Sequence, residues 1–286
     1  MKKQATLLLV ILMAFVLPVS AQSTDCHSGD PDKAIAGCTA DIQRATPVPT
    51  AQGMLPVYYS LRAAAYQKKD MFEPAKADLD MAVSLQPEFP AYFNRAVFFS
   101  DYGMTAEALA DFAAAIALYE KKMPPEKERE EAYVQANLQR AEALRRIGRP
   151  AEALVNFDKA AALRPDNMEI FYNRALANSR LERLDAVIAD LTRVIDNGRR
   201  EGFYVSSLIN RGLAHMRRND FPAAVADLDR ALAAEPGSPL GLVRRGYIYE
   251  RAGQREKAVT DYRAALGVYS RMEEAIEGLK RLGAAR

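Results

Sequence analysis

The chain has 286 residues, 49% of them apolar, and 39 Lys and Arg stand against 37 Asp and Glu for a formal net charge of +2. That is enough apolar material for a sizeable core, and the interspersed charge excludes the one-signed basic stripe of a nucleic-acid footprint. Two histidines, two cysteines, no glycine-rich phosphate loop and no nucleophile with a base at a recognisable spacing argue against an enzyme, a cofactor or a bound metal.

In chain order, residues 1–3 carry two lysines, residues 7–16 are uninterruptedly apolar, and Pro18, Ser20 and Ala21 close the stretch with a proline and small side chains. This is the pattern of a secretory signal peptide over 1–21, cleaved after Ala21. The apolar run is too short to cross about 30 Å of hydrocarbon, so no membrane insertion is expected after cleavage, and the location implied is the periplasm or the cell exterior. Losing Lys2 and Lys3 brings the charge to about zero.

Residues 22–55 hold both cysteines, Cys26 and Cys38. In an oxidising compartment a disulfide is the default; a zinc site using His27 lacks a fourth ligand. Residues 31–43 are predicted to form one helix, with Ala34, Ile35 and Cys38 facing inward, and Pro47, Pro49, Gly53 and Pro56 mark a link to the repetitive region.

From 56 to 269 the chain repeats. A small residue is followed three places later by a large one, as in Ala63 with Tyr66, Ala96 with Phe99, Ala141 with Leu144 and Gly246 with Tyr249; Ala175 and Gly212 begin two further copies. Twelve residues after each comes a second small or branched residue, Ala75, Ala108, Ala153, Val187, Ala224 and Ala258, whereas the step between copies varies as 33, 45, 34, 37 and 34. Constant internal spacing with variable linkers is what a packed module requires. Turn residues Gly103, Gly148, Asn219 with Asp220, and Gly253 fall mid-module, and Pro87, Pro165 and Pro236 stop it. Apolar residues at three and four, as in Ala224, Leu228 and Ala231, make both halves helical. The modules are placed at 56–88, 89–122, 134–167, 168–201, 205–238 and 239–269, with insertions near 123–131 and 198–202. Residues 270–286 contribute an amphipathic capping helix with Met272, Ala275, Ile276 and Leu279 on one side.

Six such copies resemble tetratricopeptide repeats. The resemblance implies an all-α, right-handed α-solenoid of stacked antiparallel helix pairs, in which residues 31–43 form the second half of an incomplete hairpin sealed by the disulfide. The family's tryptophan is replaced by Tyr59, Tyr92, Phe171, Leu208 and Leu242, and by the poorer-fitting Asn137.

An arginine precedes each first small residue, and sixteen residues on stands an acid: Arg62 with Asp78, Arg95 with Asp111, Arg174 with Asp190, Arg211 with Asp227 and Arg245 with Asp261, while Arg140 meets Asn156. Because the turn lies midway, each pair faces across its hairpin, and a structural ion pair is the expected reading over a basic ladder for acidic ligands. Before those arginines stand Asn94, Asn173, Asn210 and Arg244. In tetratricopeptide domains that grip a peptide carboxylate, asparagine here lines the concave groove and a basic residue completes the grip; the resemblance therefore makes these four, with the aromatics Phe93 and Tyr172, the candidate peptide-binding residues. His215 is read as a core histidine.

The function expected is a non-catalytic scaffold or adaptor in the periplasm or envelope, holding a protein or peptide partner on the concave face. A holdase for exported proteins is the alternative; it requires an extended apolar groove, whereas Ser60, Gln67 and Lys68 make the inner face mixed.

Overall fold

The computed structural model describes residues 24–121, 130–197 and 202–284. The leader expected at 1–21 lies outside them, as do most of the two insertions. Fourteen α-helices and no strand occur among the described residues. The chain divides into two compact units, one ending at Ile147 and the other beginning at Gly148.

The first unit holds α1 (Pro31–Ala45), α2 (Leu55–Lys68), α3 (Phe72–Leu85), α4 (Phe89–Asp101), α5 (Thr105–Lys121) and α6 (Glu130–Arg146). The second holds α7 (Pro150–Leu163), α8 (Met168–Arg180), α9 (Leu184–Asn197), α10 (Tyr204–Arg217), α11 (Phe221–Ala234), α12 (Pro239–Arg251), α13 (Arg255–Val268) and α14 (Glu273–Arg281). Within each unit every helix packs on its predecessor and its successor, which is the expected all-α class of stacked antiparallel pairs.

Local chemistry sets the helix limits. Asp30 caps α1, its Oδ1 accepting from Asp32 N at 2.9 Å; Asn167 and Ser238 cap α8 and α12 in the same way. Proline opens α1, α7 and α12, where its missing N–H loses nothing. Seven residues after each first small position the backbone turns left-handed, at Asp70, Gly103, Gly148, Glu182, Asn219 and Gly253. Asp70 and Glu182 are the two members of this row that turn chemistry alone does not reveal.

The small residues stand where helices approach most closely. A Cβ on Gly212 would lie 2.4 Å from Leu228 Cδ2 and 3.1 Å from the carbonyl of Ala224, so this crossing of α10 and α11 admits a methyl group only if Leu228 shifts. Asn137, the poorer fit to the repeat, is enclosed, yet its Nδ2 donates to the carbonyl of Tyr133 at 2.9 Å.

The N-terminal end is sealed by a short turn, Thr24–His27, bonded through Cys26–Cys38 to α1. Ala34 and Cys38 face inward as expected, together with Gly37, Asp41, Ile42 and Ala45, whereas Ile35 stays half-exposed and Gly37 takes the place beside Cys38. The reason is backbone proximity: a Cβ at Gly37 would come within 2.4 Å of Cys26 N, so only glycine lets the turn lie on the helix. At the other end α14 covers α13, with Ala275 and Leu279 buried and Gly278 flat against the Tyr262 ring.

Candidate functional site

Each of the five arginine–aspartate pairs is a parallel two-point contact. Arg62 Nε and Nη2 donate to Asp78 at 2.8 and 2.7 Å, and Arg174 to Asp190 at 2.9 and 2.6 Å. Arg95 with Asp111, Arg211 with Asp227 and Arg245 with Asp261 repeat the geometry. The aspartates are buried, and the hydrogen bonds they accept hold the guanidinium groups above their ordinary pKa. These arginines are committed to the hairpins and present no free ladder to a ligand. Arg140 belongs to the first unit and Asn156 to the second.

Two features of this ladder are new. The remaining nitrogen, Nη1, reaches back to the preceding helix pair: Arg95 to Asp80, Arg174 to Asp158, Arg245 to Asp229, Arg211 to Thr192 and Arg62 to Thr39, at 2.7–3.0 Å. Aromatic rings also lie beside the guanidinium. Tyr59, Tyr92 and Phe171, in the place of the missing tryptophan, have their centroids 5.1–5.9 Å from Arg62, Arg95 and Arg174. The sequence signal for the backward contacts was a second row of acids and hydroxyls, two residues after the first.

The groove candidates divide between the units. In the first, Phe93 is 3% exposed and packs its ring on Phe89 and Phe112, so it is a core residue and not a docking anchor. Its position four residues after Phe89 puts both on the stripe of α4 that faces α5. Asn94 is 2% exposed, with its side-chain oxygen enclosed and unbonded, and offers no open surface to a peptide. In the second unit Asn173 is buried, Asn210 and Arg244 are half-buried, and Tyr172 stacks on Phe203 with centroids 4.9 Å apart. Tyr172 thereby packs between successive hairpins. His215 is mostly buried, with Nδ1 3.5 Å from Asp220 Oδ2.

Two of the recesses that open on this second unit share a wall. One of about 470 Å³ is lined by Arg244, Tyr247, Glu273, Glu274 and Arg281. The other, about 300 Å³, is lined by Glu182, Leu184, Met216, Arg217, Tyr247 and Arg251. Tyr247 belongs to both, and sequence reasoning did not single it out. Beneath the larger recess Glu250 accepts two hydrogen bonds from Arg281, at 2.8 and 2.9 Å, and one from the Tyr262 hydroxyl at 2.6 Å. The Arg281 contact holds the Glu250 carboxyl below its usual range, while burial and Glu250 push the Tyr262 phenol up. Arg244 has no hydrogen-bonded or ion-paired partner among the described residues.

Helix hairpins of fixed internal spacing, stacked by a shared guanidinium ladder, define a helical-repeat module. The tetratricopeptide repeat model matches residues 138–200 and 209–275, so the chain carries tetratricopeptide repeats over those residues. Human tetratricopeptide repeat protein 13 is 26% identical over 133 residues, 46% of this chain but only 15% of that protein's length. Among solved structures, the C-terminal part of a TPR repeat-containing protein from Cytophaga hutchinsonii superposes with a TM-score of 0.61 at 15% identity, covering 87% of this chain and 98% of that one. YrrB, described as a TPR protein with an unusual peptide-binding site, gives 0.57 at 18% identity, over 71% of this chain and 97% of its own. MamA gives 0.55 at 19% identity, over 65% and 94%. These likenesses establish the fold.

Proposed function

We propose that the chain is an exported, non-catalytic scaffold that holds an extended segment of a partner protein on the first helices of its second-unit hairpins, α8, α10 and α12. The observation that carries this reading is Arg244. Arg244 is half-buried in a recess, beside Tyr247, with no hydrogen-bonded or ion-paired partner among the described residues, while Arg174, Arg211 and Arg245, each one place further along, are locked in the ladder. A fork-shaped donor held half-desolvated is suited to a carboxylate or a peptide carbonyl. Asn173 and Asn210 occupy the equivalent places on α8 and α10, which supports a binding line running from hairpin to hairpin. YrrB, which shares the fold, has a peptide-binding site.

Export is supported by the leader pattern at 1–21 and by the Cys26–Cys38 disulfide, a bond that persists in oxidising compartments. The test is affinity capture from the envelope fraction of the source cell, with the wild type and the Asn173→Ala, Asn210→Ala, Arg244→Ala triple variant. A partner enriched by the wild type and lost with the triple variant is the expected outcome; undiminished capture by the variant removes the inner-face assignment.

A further inference from the structure

In the second unit the first helix of each complete hairpin ends on an arginine: Arg180 closes α8, Arg217 closes α10 and Arg251 closes α12. Each stands seven residues after Asn173, Asn210 or Arg244, two helical turns further along the same face. Arg217 and Arg251 line the smaller recess together with Tyr247 and Met216. Arg217 Nη1 also lies 3.4 Å from the hydroxyl of Ser179, the residue before Arg180, so Arg217 reaches the end of α8 at which Arg180 continues the row.

The bland explanation is the helix dipole, which favours a cation at a C-terminus. It accounts for a positive charge, but not for a recess where two arginines and a tyrosine meet beside a single acid, Glu182, whose charge Arg217 pairs. In the first unit α2, α4 and α6 end on Lys68, Asp101 and Arg146, so there the row is interrupted at Asp101. Arg217 is paired with Glu182, whereas Arg180 and Arg251 are exposed and have no hydrogen-bonded or ion-paired partner among the described residues.

We infer that this row reads an acidic segment of the partner. Its carboxylates dock on Arg251 and Arg180, Arg217 lies between them, and the intervening apolar atoms rest on Tyr247 and Met216. The charge also sets a direction. Beyond Tyr247 the larger recess carries Glu273 and Glu274, which repel a carboxylate, so the acidic stretch runs from Tyr247 toward α8 and not toward α14. This inference rests on the scaffold reading and adds the chemistry of the partner.

The test is fluorescence anisotropy of the purified protein with a dye-labelled peptide of alternating glutamate and tyrosine, its lysine-for-glutamate counterpart, and a single-stranded oligonucleotide. Saturable binding of the acidic peptide alone is expected, weakening as salt is raised. Arg180→Ala and Arg251→Ala should each weaken it about tenfold, as loss of one charge-assisted contact does. Arg271→Ala, an exposed arginine outside both recesses, should leave it unchanged, and Glu273→Lys with Glu274→Lys should tighten it. All variants alter exposed side chains, and an unchanged helical circular dichroism spectrum verifies the fold. Equal binding by the Arg180→Ala/Arg251→Ala variant, or tighter binding of the lysine peptide or the oligonucleotide, overturns the inference. No peptide binding, with partner capture through Asn173, Asn210 and Arg244 intact, overturns the acidic assignment and leaves the scaffold reading standing.

Discussion

Arg211 of α10 donates from Nε and Nη2 to the two carboxylate oxygens of Asp227 on α11, at 2.8 and 2.7 Å, with both side chains almost wholly enclosed. Removing only the arginine leaves a buried carboxylate whose nearest remaining cation is Arg230, 3.9 Å away. Arg211→Met is therefore expected to cost about 3 kcal/mol, whereas Arg211→Met with Asp227→Leu should lie within about 1 kcal/mol of wild type, since a desolvated pair repays little of its desolvation. Urea unfolding followed by circular dichroism measures both; equal destabilisation by the single and the double variant would show that the pair itself supplies the stability.

Two glycine substitutions should act in opposite directions. Gly212→Ala drives a methyl into Leu228 and is expected to cost about 1–3 kcal/mol by overpacking. Gly267→Ala, on α13 with nothing within 4 Å, should add about 0.5–1 kcal/mol through helix propensity. Thermal melts of the two proteins decide the signs.

At the N-terminal end, the bond between Cys26 and Cys38 closes a loop of twelve residues' separation. Opening it with Cys26→Ser and Cys38→Ser should cost about 3 kcal/mol in the chain-entropy picture. Amide exchange should localise that loss to α1 and the turn before it, and leave α8–α13 protected. A uniform loss along the chain would contradict the cap's being a local seal.

The opposite end should be acid-sensitive. Glu250 is held below its ordinary pKa by Arg281, so its contribution is full above the unfolded carboxylate range and is lost as pH falls through that range and then through the lower folded value. Exchange in α14, corrected for intrinsic rates, should be slow at neutral pH and rise in strong acid, and Glu250→Gln should flatten that dependence. A pH profile unchanged by Glu250→Gln would detach the cap from this carboxylate.

The hairpins were legible because period and pairing are properties of a single module: twelve residues between Ala96 and Ala108 and sixteen between Arg95 and Asp111 survive any change in the linkers. What the sequence concealed lies between modules. The hydrogen bond from Arg95 to Asp80 joins neighbouring repeats whose linkers vary, so its separation in sequence changes from copy to copy and only the second acid, two residues after Asp78, hints at it. Gly37 took the inward place expected of Ile35 because the turn bearing Cys26 folds back over the helix, a contact that helical periodicity does not encode. Phe93 looked like a groove residue by its place in the repeat, but its partner Phe89, four residues earlier, is particular to that hairpin and turns both rings toward α5. Tyr247 escaped notice for the converse reason: it becomes a shared wall only when α14 stands beside α12.

The most direct measurement is site-specific photo-crosslinking in the cell of origin. A photoreactive benzoylphenylalanine at position 247, between the two recesses, is compared with the same group at position 263 on the exposed surface of α13. Adducts to a protein partner that form at 247 and are absent at 263 are the expected result. Adducts at 263 alone, or none at 247, would contradict docking on the first helices of these hairpins.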